Sequence, residues 1–414
     1  GRTPGGSADQ PFRRASGGQI DRRRPLSFTF DGRRYTGYAG DTLASALLAN
    51  GVRLMGRSFK YHRPRGVLTA GVNEPNALVT LRAGARTTPN MRATTVELYD
   101  GLTAHSQNRW PALAFDLRAV NRLFAPMFVA GFYYKTFMWP ARFWEKVYEP
   151  LIRRSAGLGT PTHRPDPDSY ERAHAHAELV IVGGGPAGLM AALVAGRAGV
   201  RVILCDEGHQ LGGQILAEPI ALDGEPAARW VERTLRELAG MDNVRLMPRT
   251  TLFGAYDHNT FGAIEQVAEA APVPPQVQPR ERLWQIDAER LIIAAGAHER
   301  PIAFAGNDLP GVMLASAARS YVQRFGVQPG SRAVVFGNNA DIHATADALA
   351  EAGIQVAAVV DGRADPGPHP GTHRLRHGRI RQAKGGRAVR GVELDTGDRF
   401  ACDLVCVAGG WNPA

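Results

Sequence analysis

Gly183, Gly185 and Gly188 stand in the spacing Gly-x-Gly-x-x-Gly within Gly183-Gly184-Gly185-Pro186-Ala187-Gly188. A turn of this kind can hold a pyrophosphate. The first glycine lets the chain leave a strand sharply, the second lets the backbone approach the phosphates, and the third lets helix and strand pack closely. The anion then rests on free N–H groups at the positive end of a helix. Asp206 lies 23 residues beyond Gly183, where an adenosine ribose needs an acceptor for its hydroxyls. Glu207 follows it, and the two acids together would repel a 2′-phosphate, which disfavours NADP. They do not separate NAD from FAD, because both carry a free 2′-hydroxyl.

Other small residues can approach such a cofactor. In Leu211-Gly212-Gly213-Gln214, residues Gly212, Gly213 and Gln214 follow the second strand and either run beside the cofactor or form a plain turn. Leu291-Ile292-Ile293-Ala294-Ala295-Gly296 reads as a strand whose end, Ala295 and Gly296, leaves room for a close backbone approach. Asp403 to Gly410 has the same shape. No nucleophile–base pair emerges, so no catalytic residue is assigned. His373 and His377 are four apart in an arginine-rich, loop-like stretch and are not taken as metal ligands. His174 and His176 fall in a linker, and His298 is given no acid–base role.

The elements around these residues follow from pattern. Leu179-Val180-Ile181-Val182 is a continuous apolar run, as a buried parallel strand should be. A helix follows the turn, and Val202-Ile203-Leu204-Cys205 completes a βαβ unit. A weaker copy starts at Arg332, with Ala333-Val334-Val335-Phe336 as strand, Gly337-Asn338-Asn339 as turn and Ile342 to Ala352 as helix. It has Asn339 and Ile342 where the second and third glycines should be. Branched bulk at the third position obstructs close packing, so a retained scaffold is the better reading of this half.

Upstream, Leu26 to Phe30 alternates as a strand, Asp31-Gly32 turns, and Arg34 to Tyr38 returns. Asp41-Thr42 caps a helix from Leu43 to Asn50, ended by Gly51. Ala77 to Leu81 is a further strand. Hairpin, helix and strand in that order describe a β-grasp domain.

The divisions expected are a flexible arm at 1–24, a β-grasp domain at 25–100, and an aromatic-rich connector and linker at 101–177. A first dinucleotide-binding domain at 178–330 follows, then a degenerate second half at 331–414 that is incomplete at its C-terminal end. The fold class is α/β, a ferredoxin-like β-grasp domain followed by a two-domain, Rossmann-like flavoprotein-type fold. The connector holds Trp110, Phe115, Phe124, Phe128, Phe132, Tyr133, Tyr134, Phe137, Trp139, Phe143, Trp144 and Tyr148. These rings suit packing between domains or against another subunit, or else ordinary core.

Composition narrows the class. Apolar residues make up 44% and charged residues 21% of 414 residues, the profile of a globular chain. No apolar run reaches the roughly 18 residues of a membrane span, and no signal-type segment is visible, so a cytoplasmic location without membrane contact is expected. The net charge of +10 is carried by arginine-rich stretches without a nucleic-acid motif. They suit solvated loops or an acidic partner subunit. Cysteine occurs only at Cys205, Cys402 and Cys406, which excludes a four-cysteine metal or iron–sulfur site within the chain.

Several blocks resemble the α subunits of heterotetrameric sarcosine oxidases. They are Phe30 to Gly37 with Gly40 to Gly51, Arg57-Ser58-Phe59-Lys60-Tyr61-His62-Arg63-Pro64-Arg65-Gly66, and Ala130 to Pro140. Gly296-Ala297-His298-Glu299-Arg300-Pro301 with Gly306 to Met313 completes the set. The resemblance implies a complex that oxidises sarcosine with oxygen to glycine and hydrogen peroxide and can pass the methyl carbon to tetrahydrofolate. It implies NAD in this chain, not turning over as a hydride carrier. FAD and FMN belong mainly to a flavin-bearing β subunit, with smaller subunits completing the hetero-oligomer. Catalysis is then expected mainly in the partner. Family α subunits continue into a folate-binding domain that this chain lacks, so it reads as a fragment or a truncation. Two rival readings stay open: an α subunit of a related amino-acid or opine dehydrogenase holding FAD, and a non-catalytic scaffold.

Overall fold

Strand β1 (Asp21–Phe30) buries Phe28 and Phe30 on alternate positions and pairs antiparallel with β2 (Arg33–Ala39). Asp31 and Gly32 between them both have positive φ, as a tight two-residue hairpin turn requires. Helix α1 (Leu43–Ala49) starts with a capping box. Ser45 N donates to the Thr42 hydroxyl and Thr42 N donates to Ser45 Oγ. Strands β3 (Leu78–Leu81), β4 (Thr88–Arg92) and β5 (Leu102–Ser106) complete a mixed sheet in the order β2-β1-β5-β3-β4, with β1 and β5 parallel. The computed structural model describes residues 10–127, 131, 139–155, 157–364, 373 and 375–414.

Two boundaries of this first domain differ from the sequence reading. Strand β5 lies beyond residue 100, so the domain takes in the start of the expected connector. The described part of the expected flexible arm is docked: Arg13 is buried and donates to both carboxylate oxygens of Asp41 at 3.0 and 2.6 Å and to Phe325 O at 2.7 Å. An arginine in a glycine-rich stretch reads as solvated until its buried partner is known.

The second sheet begins with β6 (Tyr170–Val182), a 13-residue strand. Helix α2 (Pro186–Arg197), β7 (Val202–Cys205), helix α3 (Ala227–Ala239) and β8 (Val244–Met247) follow. Then come β9 (Thr250–Tyr256), β10 (Thr260–Gln266) and β11 (Glu281–Ile293). The order is β8-β7-β6-β11-β10-β9, parallel through the first four. This unit starts at Tyr170 rather than 178, because residues 170–177 already pair with β11. His174 and His176 therefore stand on a strand, not in a linker, and both are exposed on it.

Strand β12 (Ala297–Glu299) leads to β13 (Val312–Leu314), helix α4 (Ala315–Gln323), β14 (Arg332–Gly337), helix α5 (Asp341–Glu351), β15 (Gln355–Asp361) and β16 (Leu375–His377). A three-stranded meander, β17 (Ile380–Gly385), β18 (Val389–Leu394) and β19 (Arg399–Ala401), precedes β20 (Leu404–Ala408) and β21 (Trp411–Pro413). The third sheet runs β13-β20-β14-β15-β16, all parallel. Since β13 and α4 belong to it, the division expected at residue 330 falls inside this unit. Strand β21 returns to pair with β12.

The cores are shared unevenly. Phe28, Leu47 and Leu81 of the first domain lie in one cluster with Tyr321, Phe325 and Ile342 of the third unit. The Rossmann-like second unit has its own clusters, with Ile181, Leu189 and Leu204 on one face and Val180, Ile203 and Trp284 on the other. In the connector Trp110, Phe115, Phe124, Trp139 and Phe143 are exposed rather than core. Phe128, Phe132, Tyr133, Tyr134 and Phe137 lie outside the described residues, as do 1–9 of the arm. Among the described residues no helix is long and apolar enough to cross a membrane.

Candidate dinucleotide site

The turn after β6 is built as its glycines demand. Gly183 has φ +101°, and a Cβ there would lie 2.3 Å from Ala294 O. A Cβ on Gly188 would lie 1.8 Å from Gly183 O, so no other residue fits. Gly185 differs, since its missing Cβ meets nothing within 4 Å. Its φ of −74° is open to any residue. The fold does not require glycine there; a ligand lying against the backbone would. Pro186 and Ala187 open α2 and are exposed.

Asp206 follows β7 directly, beside this turn. Its Oδ2 accepts from Gly184 N at 2.6 Å and its Oδ1 from Gly208 N at 2.7 Å. A carboxylate has about four lone-pair sites, so acceptor capacity remains for ribose hydroxyls. Glu207 sits on the rim, where desolvation and then the charge of Asp206 push its carboxyl up. The Leu211–Gln214 loop is stitched to the turn. Gly212 N donates to Gly184 O at 2.8 Å, a Cβ on Gly213 would lie 3.0 Å from Gly185 Cα, and Gln214 Nε2 donates to Ala297 O at 3.0 Å. Gly296, with φ +77°, turns the chain from β11 into β12.

A cavity of about 450 Å³ opens beside the turn, within the range of small-molecule sites. It brings together Gly183, Asp206, Glu207, Gly213, Gln214 and Ala295 of the expected set. Gly185, Pro186, Ala187, Gly188, Gly212 and Gly296 are not on its wall. Much of the wall was not legible as such. Thr69 and Thr94 come from the first domain, and His209, Glu299, Arg324 and Trp411 from the others.

Several of these wall residues are unusual. Burial pushes the His209 imidazole down to about 4, and its Nε2 has no hydrogen-bond partner. Burial pulls the Arg324 guanidinium down, with the charge of Asp206 acting against it. Burial pushes the Glu299 carboxyl up, opposed by hydrogen bonding from the Ser316 side chain and then from Ser316 N, the latter at 2.8 Å. The only signal for Glu299 lay in the block Gly296 to Pro301. Cys205 also lines the cavity, but burial pushes its thiol up to about 12, so it is no nucleophile.

The second turn is closed by its own side chains. Asn339 Oδ1 accepts from Asp341 N at 3.0 Å and Asn339 Nδ2 donates to Ala408 O at 3.1 Å. Ile342 is fully buried at the third glycine position. Among the described residues no group of three or more His, Cys, Asp or Glu side chains is placed to hold a metal ion.

Comparison with known proteins agrees with this architecture. Residues 23–109 match the family described as "2Fe-2S iron-sulfur cluster binding domain", and residues 178–262 match "FAD dependent oxidoreductase". The chain is 53% identical to "Sarcosine oxidase subunit alpha" of Rhizobium meliloti (strain 1021) over 97% of its own length and 41% of the relative's. It is 35% identical to the protein of the same description from Corynebacterium sp. (strain U-96), over 96% of this chain and 38% of that one. It thus spans about two fifths of the length of the curated relatives it matches. The solved "Crystal structure of L-proline dehydrogenase from P.horikoshii" superposes on 95% of this chain and 61% of its own, with TM-score 0.62 and 20% identity, a likeness of fold.

The residues do not fit the iron–sulfur cluster that the first family description names. A cluster of this type is held by four thiolates, and residues 23–109 contain no cysteine. The loop before β3 is organised by Glu74 instead. Its buried carboxylate accepts from the N–H groups of Leu68, Thr69, Asn76 and Ala77. The residues around the glycine turn do fit a dinucleotide, by the open approach over Gly185 and the free lone pairs of Asp206.

Proposed function

We propose, on the premise that this chain belongs with the sarcosine oxidase α subunits it matches along 97% of its length, that it is the NAD-binding part of such a subunit. NAD, when bound, would stay in place as a fixed dinucleotide and would not turn over as a hydride carrier. The chain's own residues bind and orient it. Asp206 accepts from the adenosine ribose, the N–H groups at the start of α2 receive the pyrophosphate, and Gln214 and Ala295 flank the path beyond. The observation that carries this reading is Gly185, a glycine that the fold does not need and a bound phosphate would.

As a subunit it would support oxidative demethylation of sarcosine to glycine with release of hydrogen peroxide, the methyl carbon passing to tetrahydrofolate. FAD and FMN would sit mainly in a flavin-bearing β subunit, where the amine oxidation takes place, with smaller subunits completing a heterotetramer in the cytoplasm. Burial pushes the thiols of Cys205 and Cys402 up to about 12, and Cys406 higher, so none of the three offers a thiolate nucleophile. A second reading, FAD on the same turn, is favoured by the match of residues 178–262 to FAD dependent oxidoreductases. Release of the nucleotide from purified chain by denaturation decides between them. A visible flavin spectrum supports FAD, and NAD identified by mass spectrometry without flavin supports the first reading. Absence of both, together with no measurable NAD titration, would refute each.

A further inference from the structure

In the second sheet the strand order β7-β6-β11 puts Asp206 on one side of the glycine turn and the exit of β11 on the other. A dinucleotide with its adenosine ribose on Asp206 and its pyrophosphate on the turn sends its second half toward β11 and β12. The second ribose then lies nearest the turn, over Ala295, and the terminal ring farther along, at β12.

Glu299 ends β12 and lines the same cavity as Gly183 and Asp206. The residue is 5% exposed. Its Oε2 accepts from Ser316 N at 2.8 Å, in the first turn of α4, where the N-cap residue Leu314 has no side-chain oxygen to offer. Its Oε1 is buried without a hydrogen-bond partner. Cross-strand pairing with Trp411 on β21 fixes the backbone. A buried carboxylate oxygen left unpaired carries its full desolvation penalty, so whatever fills this end of the cavity is selected for a donor.

We propose that Glu299 Oε1 accepts a hydrogen bond from the carboxamide N–H of the nicotinamide, which makes Glu299 the residue that recognises the cofactor's second half. This rests on the NAD reading above. Glu299→Gln tests it with little change of shape. The amide oxygen is held toward Ser316 N, which needs an acceptor, so the amide N–H₂ points into the cavity and an acceptor becomes a donor.

Calorimetric titrations of wild-type and E299Q chain with NAD, ADP-ribose and 3-acetylpyridine adenine dinucleotide read the contact directly. The last ligand has a methyl ketone in place of the amide. Wild type should bind NAD about tenfold more tightly than the acetylpyridine analogue. E299Q should lose that preference, with ADP-ribose affinity unchanged. An equal loss for ADP-ribose would place the contact on the ribose and overturn the proposal. So would an unaltered preference in E299Q, or no preference in wild type, a comparison that needs no variant to fold. Wild type that binds neither NAD nor ADP-ribose removes the NAD reading itself and this inference with it.

Discussion

Gly185 and Gly188 are both glycine for different physical reasons, and substitution separates them. Alanine at 188 would drive a methyl group to 1.8 Å from a backbone oxygen. Gly188→Ala should therefore cost several kcal/mol, on the order of the largest core-overpacking effects, and unfold at clearly lower urea. Gly185→Ala meets open space and loses only the modest N-cap preference of glycine, about 1 kcal/mol or less. It should keep the fold and weaken NAD binding at least tenfold, measured by titration at matched stability. Equal affinity in Gly185→Ala and wild type would remove the observation on which the binding site rests.

His209 gives a pH dependence. Its folded value is about 4, below the 6.5 or so of an unfolded histidine. Above pH 6.5 neither state is protonated and the group adds no cost. Below it the unfolded chain takes up a proton that the folded chain refuses, so stability falls with pH down to about 4. The slope from this residue is at most about 1.4 kcal/mol per pH unit. Urea unfolding at pH 7.5, 6 and 5 should show a decline that is shallower in His209→Asn; parallel curves for the two proteins would show that burial does not suppress this histidine's protonation.

At the scale of elements, the arm, the first domain and the third unit are joined by buried charge. Arg13 and Asp41 have side chains 2% and 0% exposed, and the pair also reaches Phe325 O on the third unit. Removing one partner strands the other in a low dielectric. Arg13→Ala should destabilise by about 3–5 kcal/mol, read as a shift of the denaturation midpoint; a loss under ~1 kcal/mol would mean the arm is only lightly docked. Arg249 and Glu97 form a second, two-pronged link at 2.8 and 2.8 Å, between the first domain and the second unit.

Such links explain what the sequence concealed. The glycine turn is legible because steric exclusion dictates residue type locally, as at Gly188. Glu299 is not, because one glutamate near a strand end looks like surface until β21, over a hundred residues later, covers it. Arg13 is hidden the same way by Asp41. The start of β6 was available in principle. Ala173, His174, Ala175, His176 and Ala177 alternate with the period of a strand, and Ala175 and Ala177 are the buried ones. The second turn carries Asn339 and Ile342 in place of two glycines. Its Ile342 now has a purpose, since it packs into the core that the third unit shares with the first domain.

At the scale of the whole molecule, cofactor binding and amine oxidation would fall to different chains. The chain spans 41% of the length of its Rhizobium meliloti relative. Its cysteines are buried thiols rather than nucleophiles, and the cavity wall holds binding groups around one dinucleotide turn. The described connector residues Phe115, Leu123 and Trp139 are 65%, 78% and 84% exposed. Large rings and aliphatics left bare in one stretch of chain suit a surface that another subunit covers. The purified chain should therefore self-associate, bind NAD, and release no hydrogen peroxide with sarcosine, with or without added FAD. Peroxide release should appear only when a flavin-bearing partner is co-purified with it. A coupled peroxidase assay on the chain alone checks this. Sustained turnover there, proportional to chain concentration and surviving gel filtration, would put the oxidation chemistry in this chain and the flavin on the turn at Gly183.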